Sequence, residues 1–190
     1  MNTFKLVVRV GIAVLATSVF AAQLPANAVL GPHASELVAL KGDALVPFDS
    51  NGFLQAPYVI LYFGAGWCPD CRHFSPKLVE AYKTQPAGAH RFEVLLLSRD
   101  KTSEGMLQFM RSEKMPWPAL AFDKVSKAED LQRFYSGHGI PCLTVIDSSG
   151  AIVLQSKDDQ DAKEVLESLE QKIAKGTKDN PTKESPNTDR

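Results

Sequence analysis

Hydrophobic positions along this chain follow two periods that alternate. Tyr58-Val59-Ile60-Leu61-Tyr62-Phe63 is an unbroken apolar run of strand length, β-branched and aromatic, and predicts a buried strand. Gly64-Ala65-Gly66 lets the chain turn. From Pro69 the spacing becomes helical, with Phe74, Leu78, Val79 and Tyr82 on one face. Pro86-Ala87-Gly88 breaks that helix, and Phe92–Leu97 predicts a second buried strand ending at Ser98-Arg99-Asp100. Thr102 or Ser103 can cap a helix carrying Met106, Leu107, Phe109 and Met110. Ala119–Phe122 predicts a short strand and Lys127–Tyr135 a helix. Ile140–Asp147 is a strand begun through a proline, and Ser148-Ser149-Gly150 turns it into Ala151–Gln155 as an antiparallel hairpin. Ala162–Ala174 is amphipathic, with Val165, Leu166, Leu169 and Ile173 facing inward. Between Val29 and Pro57 the signal is weak: Leu37–Leu40 and Ala44–Phe48 read as two short strands around Lys41-Gly42-Asp43. Strands alternating with helices, then a hairpin and a last helix, predict an α/β sandwich with a central mixed β-sheet flanked by helices.

The two ends differ from this middle. Lys5 and Arg9 give a positive start, Val10–Ala22 is apolar but short for a bilayer span, and Ala26-Asn27-Ala28 is an A-x-A site. Residues 1–28 therefore read as a cleavable signal peptide cut after Ala28, with Ala21 as the alternative. That implies a periplasmic or secreted protein with no stable membrane insertion after cleavage. From Gly176 the chain reads GTKDNPTKESPNTDR, too polar to bury compensating surface, so residues 176–190 are expected to be a disordered tail. Residues 29–175 remain as one domain with a sizeable core. Loss of the leader removes Lys5 and Arg9 and no acid, which moves the net charge from −1 to −3. So mild a balance argues against a nucleic-acid or anionic-membrane surface.

Composition adds one decisive feature. Three cysteines are present, and two of them, Cys68 and Cys71, lie two residues apart where the strand hands over to the helix. Unpaired N–H groups and the helix dipole at that N-terminus stabilise a thiolate. In an exported chain a C-x-x-C pair could also be a structural staple, but so small a loop constrains the unfolded chain little. A redox-active pair is the better reading. No second C-x-x-C accompanies it, so no structural zinc site is expected, nor any cofactor beyond the cysteines themselves.

Tyr62-Phe63-Gly64-Ala65-Gly66-Trp67-Cys68-Pro69-Asp70-Cys71-Arg72, followed by Phe74, Pro76 and Leu78, resembles the thioredoxin superfamily, and within it the tryparedoxin and nucleoredoxin branch. Phe92-Glu93-Val94 leading to Ser98 and Asp100, Met115-Pro116-Trp117-Pro118-Ala119-Leu120, and Gly139-Ile140-Pro141 before an apolar strand and an Asp147…Gly150 turn extend the likeness over roughly residues 44–172. The resemblance implies a thioredoxin-like fold, a cis peptide at Pro141 facing the C-x-x-C, and a helix proline at Pro76. The chain also departs from the pattern. Pro69-Asp70 replaces the usual pair of prolines. Tyr62 stands where ordinary thioredoxins carry a buried aspartate, which leaves the proton acceptor for Cys71 unassigned. Cys142 follows the cis-proline position, where threonine is common.

The resemblance further implies a thiol–disulfide oxidoreductase that reduces protein disulfides, kept reduced by a membrane thiol electron-donor system. Cys68 is then the exposed nucleophile and Cys71 the resolving thiol. Trp67 shields the site and offers an apolar platform; Pro69 and Asp70 shape it; Ile140 and Pro141 form the opposing wall for an extended substrate segment. Asp70 has two readings, a site-tuning charge or a solvated first-turn carboxylate. His73 could tune the site or lie on the surface, Arg72 is a solvated helix residue, and His33, His90 and His138 are expected to be exposed. Cys142 reads as a small buried apolar residue, as a partner for an alternative disulfide, or as a metal ligand with the C-x-x-C. A disulfide oxidase or isomerase, and a non-catalytic metal or apocytochrome chaperone, stay open as functions.

Overall fold

The computed structural model describes residues 27–86, 90–157 and 161–179. Its framework is a mixed seven-stranded sheet. The strands are β1 (Leu37–Lys41), β2 (Ala44–Pro47), β3 (Tyr58–Gly64), β4 (Phe92–Ser98), β5 (Ala119–Leu120), β6 (Cys142–Asp147) and β7 (Ile152–Gln155), in the order β2-β1-β5-β4-β3-β6-β7. The apolar run at 58–63 becomes the central strand, because only a strand buried on both faces and paired on both edges can use so continuous a run. β3 is parallel to β4, with Tyr58 opposite Phe92 and Gly64 opposite Ser98, and antiparallel to β6, with Phe63 opposite Cys142.

Alternation along β3 divides the core in two. Ile60 and Tyr62 face a layer built by α1 (Pro69–Lys83), α2 (Ser103–Ser112) and α5 (Ala162–Asp179), through Phe74, Leu78, Phe109, Val165 and Leu169. Val59, Leu61 and Phe63 face the other layer, which contains Phe53, Leu131, Phe134 and Cys142. The predicted thioredoxin-like arrangement of a mixed sheet flanked by helices is what is observed.

Some boundaries differ from expectation. The helix expected near Lys127–Tyr135 is a single turn, α4 (Glu129–Gln132), entered from Ala128 at ψ 68°, and a separate turn, α3 (Phe122–Val125), precedes it. Phe122 consequently starts a helix instead of ending β5. Two 3-10 turns, Gly31–Glu36 and Phe53–Gln55, occupy the stretch of weak signal. The C-terminal helix runs on to Asp179, into the segment assigned to the tail, since extending a formed helix is far cheaper than starting one. The rest of that tail, 180–190, and the leader through Ala26 lie outside the described residues.

Asn27 is part of the domain. It is buried, its amide donates to Leu54 O at 3.1 Å, and its side-chain Nδ2 donates to Asp147 O at 3.1 Å. Its Oδ1 accepts from the amides of Val29 and Leu30, each at 3.1 Å. A cut after Ala28 would remove this brace, whereas a cut after Ala21 would keep it. Asn27→Ala should lower stability by about 1–3 kcal/mol, because it strips a buried carbonyl and two amides of their partners; urea unfolding of the two proteins measures it.

Candidate active site

The carboxyl ends of the parallel β3 and β4 lie side by side, and the turn after β3 leads to Cys68 at the start of α1 and Cys71 in its first turn. Gly64 is required here for space: a Cβ would fall 2.7 Å from the Tyr62 ring that swings beneath it. Gly66 N donates to Asp100 Oδ1 at 3.0 Å, and Ser98 Oγ donates to Asp100 Oδ2 at 2.9 Å, so the turn after β4 holds the turn after β3. Burial raises the Asp100 pKa from its ordinary value, and the bonds from Ser98 and Gly66 offset only part of that rise.

Cys68 is the N-cap of α1 and Pro69 its first residue, where the missing N–H of proline costs nothing. Cys68 Sγ accepts from the Cys71 amide at 3.4 Å and donates to Ile140 O at 3.4 Å. A sulfur so placed receives the partial positive charge of the helix start. The expectation of an exposed Cys68 needs correction: its side chain is only 5 % exposed, covered where the Ile140-Pro141 segment crosses it. That peptide bond is cis, as the resemblance implied, and both residues are half-buried. Cys71 is fully buried, and all three cysteines are free thiols.

The two thiols occupy unequal surroundings. Burial pushes the Cys71 thiol up to about 12, and the Ala65 amide and Tyr62 hydroxyl pull it back only in part. Behind it, Ser75 Oγ donates to Cys71 O at 2.8 Å, so Tyr62 O–H donates to Ser75 Oγ at 2.9 Å. Tyr62 is itself raised far above the usual phenol range, by burial and then by the neighbouring Cys71. It therefore stays protonated and cannot take the proton of Cys71 as a buried carboxylate would.

Trp67 stands 55 % exposed with its Nε1 donating to Arg99 O at 3.1 Å. It is a platform beside the β4–α2 turn, whereas the cover of Cys68 comes from Ile140. Pro69 and Asp70 are exposed. Asp70 lines a groove of about 320 Å³ with His73, Phe74, Lys77, Pro141 and Lys163, which brings Asp70 and the cis-proline onto one surface. A larger cleft of about 500 Å³, lined by Phe48, Phe53, Tyr82, His90 and Glu93, lies by the opposite end of the sheet.

Other residues fall outside the reading given by sequence. Arg72 is exposed, but its Nη1 donates to Gly66 O at 2.6 Å and clamps the loop. Cys142 packs in the core layer on the opposite sheet face from the pair, 3.4 Å from Ser136 Oγ, which fits a small buried residue and removes it as a disulfide partner or co-ligand. His33 and His90 are half-buried in pairs with Glu36 and Asp130, and with Glu93. His73 and His138 are exposed. The bracing by Asp100 and the Tyr62–Ser75 relay were not read from sequence. Ser98 and Asp100 stood in the matched motif, but nothing in spacing says that Asp100 reaches back to Gly66.

Comparison with known proteins agrees with this geometry. The sequence profile of a thioredoxin-like family matches residues 57–152. Tryparedoxin from Trypanosoma brucei brucei is 37% identical over 123 residues, covering 64% of this chain and 80% of that protein. Nucleoredoxin from Xenopus laevis is 34% identical over 105 residues, 55% of this chain, but the match spans only 25% of the nucleoredoxin. Among solved structures, tryparedoxin II from C. fasciculata superposes with a TM-score of 0.56 at 28% identity, covering 85% of this chain and 95% of that one. Tryparedoxin I from Leishmania major gives 0.54 at 28% identity, covering 84% and 95%. Sequence, sheet order and the placing of the C-x-x-C at a helix start thus converge, and the chain belongs to the thioredoxin-like oxidoreductase family, in its tryparedoxin and nucleoredoxin branch.

Proposed function

We propose that this protein is an exported thiol–disulfide oxidoreductase that reduces protein disulfides through Cys68 and Cys71. The observation that carries the reading is the seat of Cys68 Sγ, held between the Cys71 amide at the start of α1 and the Ile140 carbonyl. Cys68, as thiolate, attacks one sulfur of a substrate disulfide. The substrate S–S bond breaks, a Cys68–substrate disulfide forms, and the other substrate sulfur leaves as thiolate and takes a proton from water. Cys71, once deprotonated, attacks Cys68 Sγ, closes the Cys68–Cys71 disulfide and releases the second thiolate. Two electrons pass from the dithiol to the substrate, and a membrane thiol donor returns them. Trp67, Pro69 and Asp70 frame one side of the approach, and Ile140 and Pro141 offer backbone on the other. No cofactor beyond the cysteines takes part.

The second step is the slow one to set up, because a buried thiol at about 12 gives up its proton reluctantly at neutral pH. Whatever removes that proton, Tyr62 does not, so water admitted on formation of the mixed disulfide is the acceptor this interior allows.

In cells, Cys71→Ser should accumulate mixed disulfides with envelope proteins, and Cys68→Ser should trap none; non-reducing electrophoresis of envelope and cytosolic fractions reads both. Absence of any trapped partner in the envelope overturns the reading. The Cys68–Cys71 reduction potential, from thiol labelling across dithiothreitol ratios, is expected near about −270 mV, and a value near about −120 mV would make the protein a disulfide donor instead. The raised Cys71 pKa also sets a pH window. The unfolded chain loses that proton near the ordinary value of 9.0 while the native state keeps it to about 12. Stability of the reduced protein should therefore fall between about pH 9 and 12, by up to about 1.4 kcal/mol per pH step, and Cys71→Ala should fall less steeply. Unfolding midpoints of both proteins across that range measure the difference.

A further inference from the structure

Arg99 follows β4 directly and stands at the same end of the sheet as the cysteine pair. Its backbone is fixed at both ends, since its amide donates to Gly64 O at 2.8 Å and its carbonyl accepts from the Trp67 indole at 3.1 Å. Its guanidinium lies 4.4 Å from the Tyr135 ring and 5.3 Å from the Phe63 ring. Stacking on ring faces attracts the charge but leaves the N–H groups in the guanidinium plane unfilled. The Nε is buried and has no hydrogen-bond partner. Among the described residues no carboxylate lies within ion-pair distance of Arg99. Its neighbour Asp100 is turned away, engaged with Gly66 and Ser98.

The position of this cation gives it meaning. Tyr135, on which it stacks, accepts from the Gly139 amide at 3.2 Å and so props the segment leading to Ile140 and Pro141. Phe63, its other ring, is the register partner of Cys142, the next residue on. Through Tyr135 the fork is therefore linked to the Gly139-Ile140-Pro141 segment, whose Ile140 carbonyl meets Cys68. Half-desolvated, planar and with no carboxylate paired to it among the described residues, it is matched to a carboxylate received in bidentate fashion.

We infer that Arg99 is a specificity-determining residue that receives a carboxylate carried beside the disulfide of the substrate, a step that rests on the disulfide-exchange reading of Cys68 and Cys71. The carboxylate can belong to a small thiol peptide or to an acidic side chain flanking a protein cysteine. The competing role is structural, with Arg99 only bracing Tyr135 and the loop.

The test uses the full chain, reduced and freed of reductant, mixed in a single turnover with matched disulfides. One pair is glutathione disulfide and its carboxyl-esterified form. The other is a disulfide-linked peptide with glutamate beside the cysteine and the same peptide with glutamine. In each case the substrate S–S bond breaks to two thiols as the Cys68–Cys71 disulfide forms, two electrons and two protons passing from protein to substrate, and the released thiol is quantified. Arg99→Met, which keeps an apolar stem against Phe63 and Tyr135, should slow the carboxylate-bearing substrates by about tenfold and the neutral ones by less than about twofold. Arg99→Lys, with charge but no planar fork, should fall between. Loss confined to glutathione disulfide identifies a small thiol peptide as the source, loss confined to the glutamate peptide identifies a protein side chain, and either supports the inference. Equal loss on charged and neutral members, or no loss, overturns it. If Arg99→Met does not fold, by circular dichroism, the wild-type preference for the charged member must shrink as salt rises, and a salt-independent ratio overturns the inference. If the wild type reduces none of the disulfides, the redox reading fails on its own. The inference is then decided by titrating S-methylglutathione while following the Arg99 Nε–H resonance, where a saturable shift absent with the esterified ligand supports it and no shift overturns it.

Discussion

The double pairing of one strand is the constraint on which the site depends. β3 is held in register along its length by β4 on one side and β6 on the other, so its last residues cannot slide. Because Gly64 ends opposite Ser98, and Phe63 opposite Cys142, three segments are delivered to one place: the turn before α1, the turn after β4 and the loop before β6. A one-residue slip would turn Tyr62 out of its layer and move the cysteines off the helix start. The sheet is thus the ruler that sets the distance between Cys68 and Ile140, and the short bonds around Gly66 and Asp100 only refine it.

On that frame, unequal solvation turns two chemically identical thiols into different reagents. Cys68 sits at the rim with a helix N–H and a carbonyl for company. Cys71, three residues on, faces a dry layer of Tyr62, Phe74 and Phe109, where burial opposes the charged form. Replacing a buried carboxylate with Tyr62 keeps that interior neutral and satisfies Ser75 and the Cys71 carbonyl through one relay. The consequence is a pair in which one sulfur meets a helix N–H at the rim while burial keeps the other protonated.

Charged side chains near the pair fall on two sides. Asp70, His73 and Lys77 border the groove shared with Pro141. Across the sheet, Arg99 is held against two rings, with no carboxylate in ion-pair reach among the described residues.

Much of this was legible in sequence because it is local. The apolar run 58–63, the C-x-x-C that follows and the helical spacing of Phe74, Leu78 and Val79 are each set by neighbours a few residues away. Periodicity reports such neighbours directly. The helix expected near Lys127–Tyr135 is present only as the single turn Glu129–Gln132, preceded by the non-helical Ala128. Only the tertiary structure decided that Cys68 is covered and not open, that Cys142 points away from the pair, and that Asn27 belongs to the domain. It alone decided too that Asp100 braces Gly66 and that Arg99 stacks on Phe63 and Tyr135. These are contacts between residues tens of positions apart, set by strand register and by which face a side chain takes, and no local pattern encodes either.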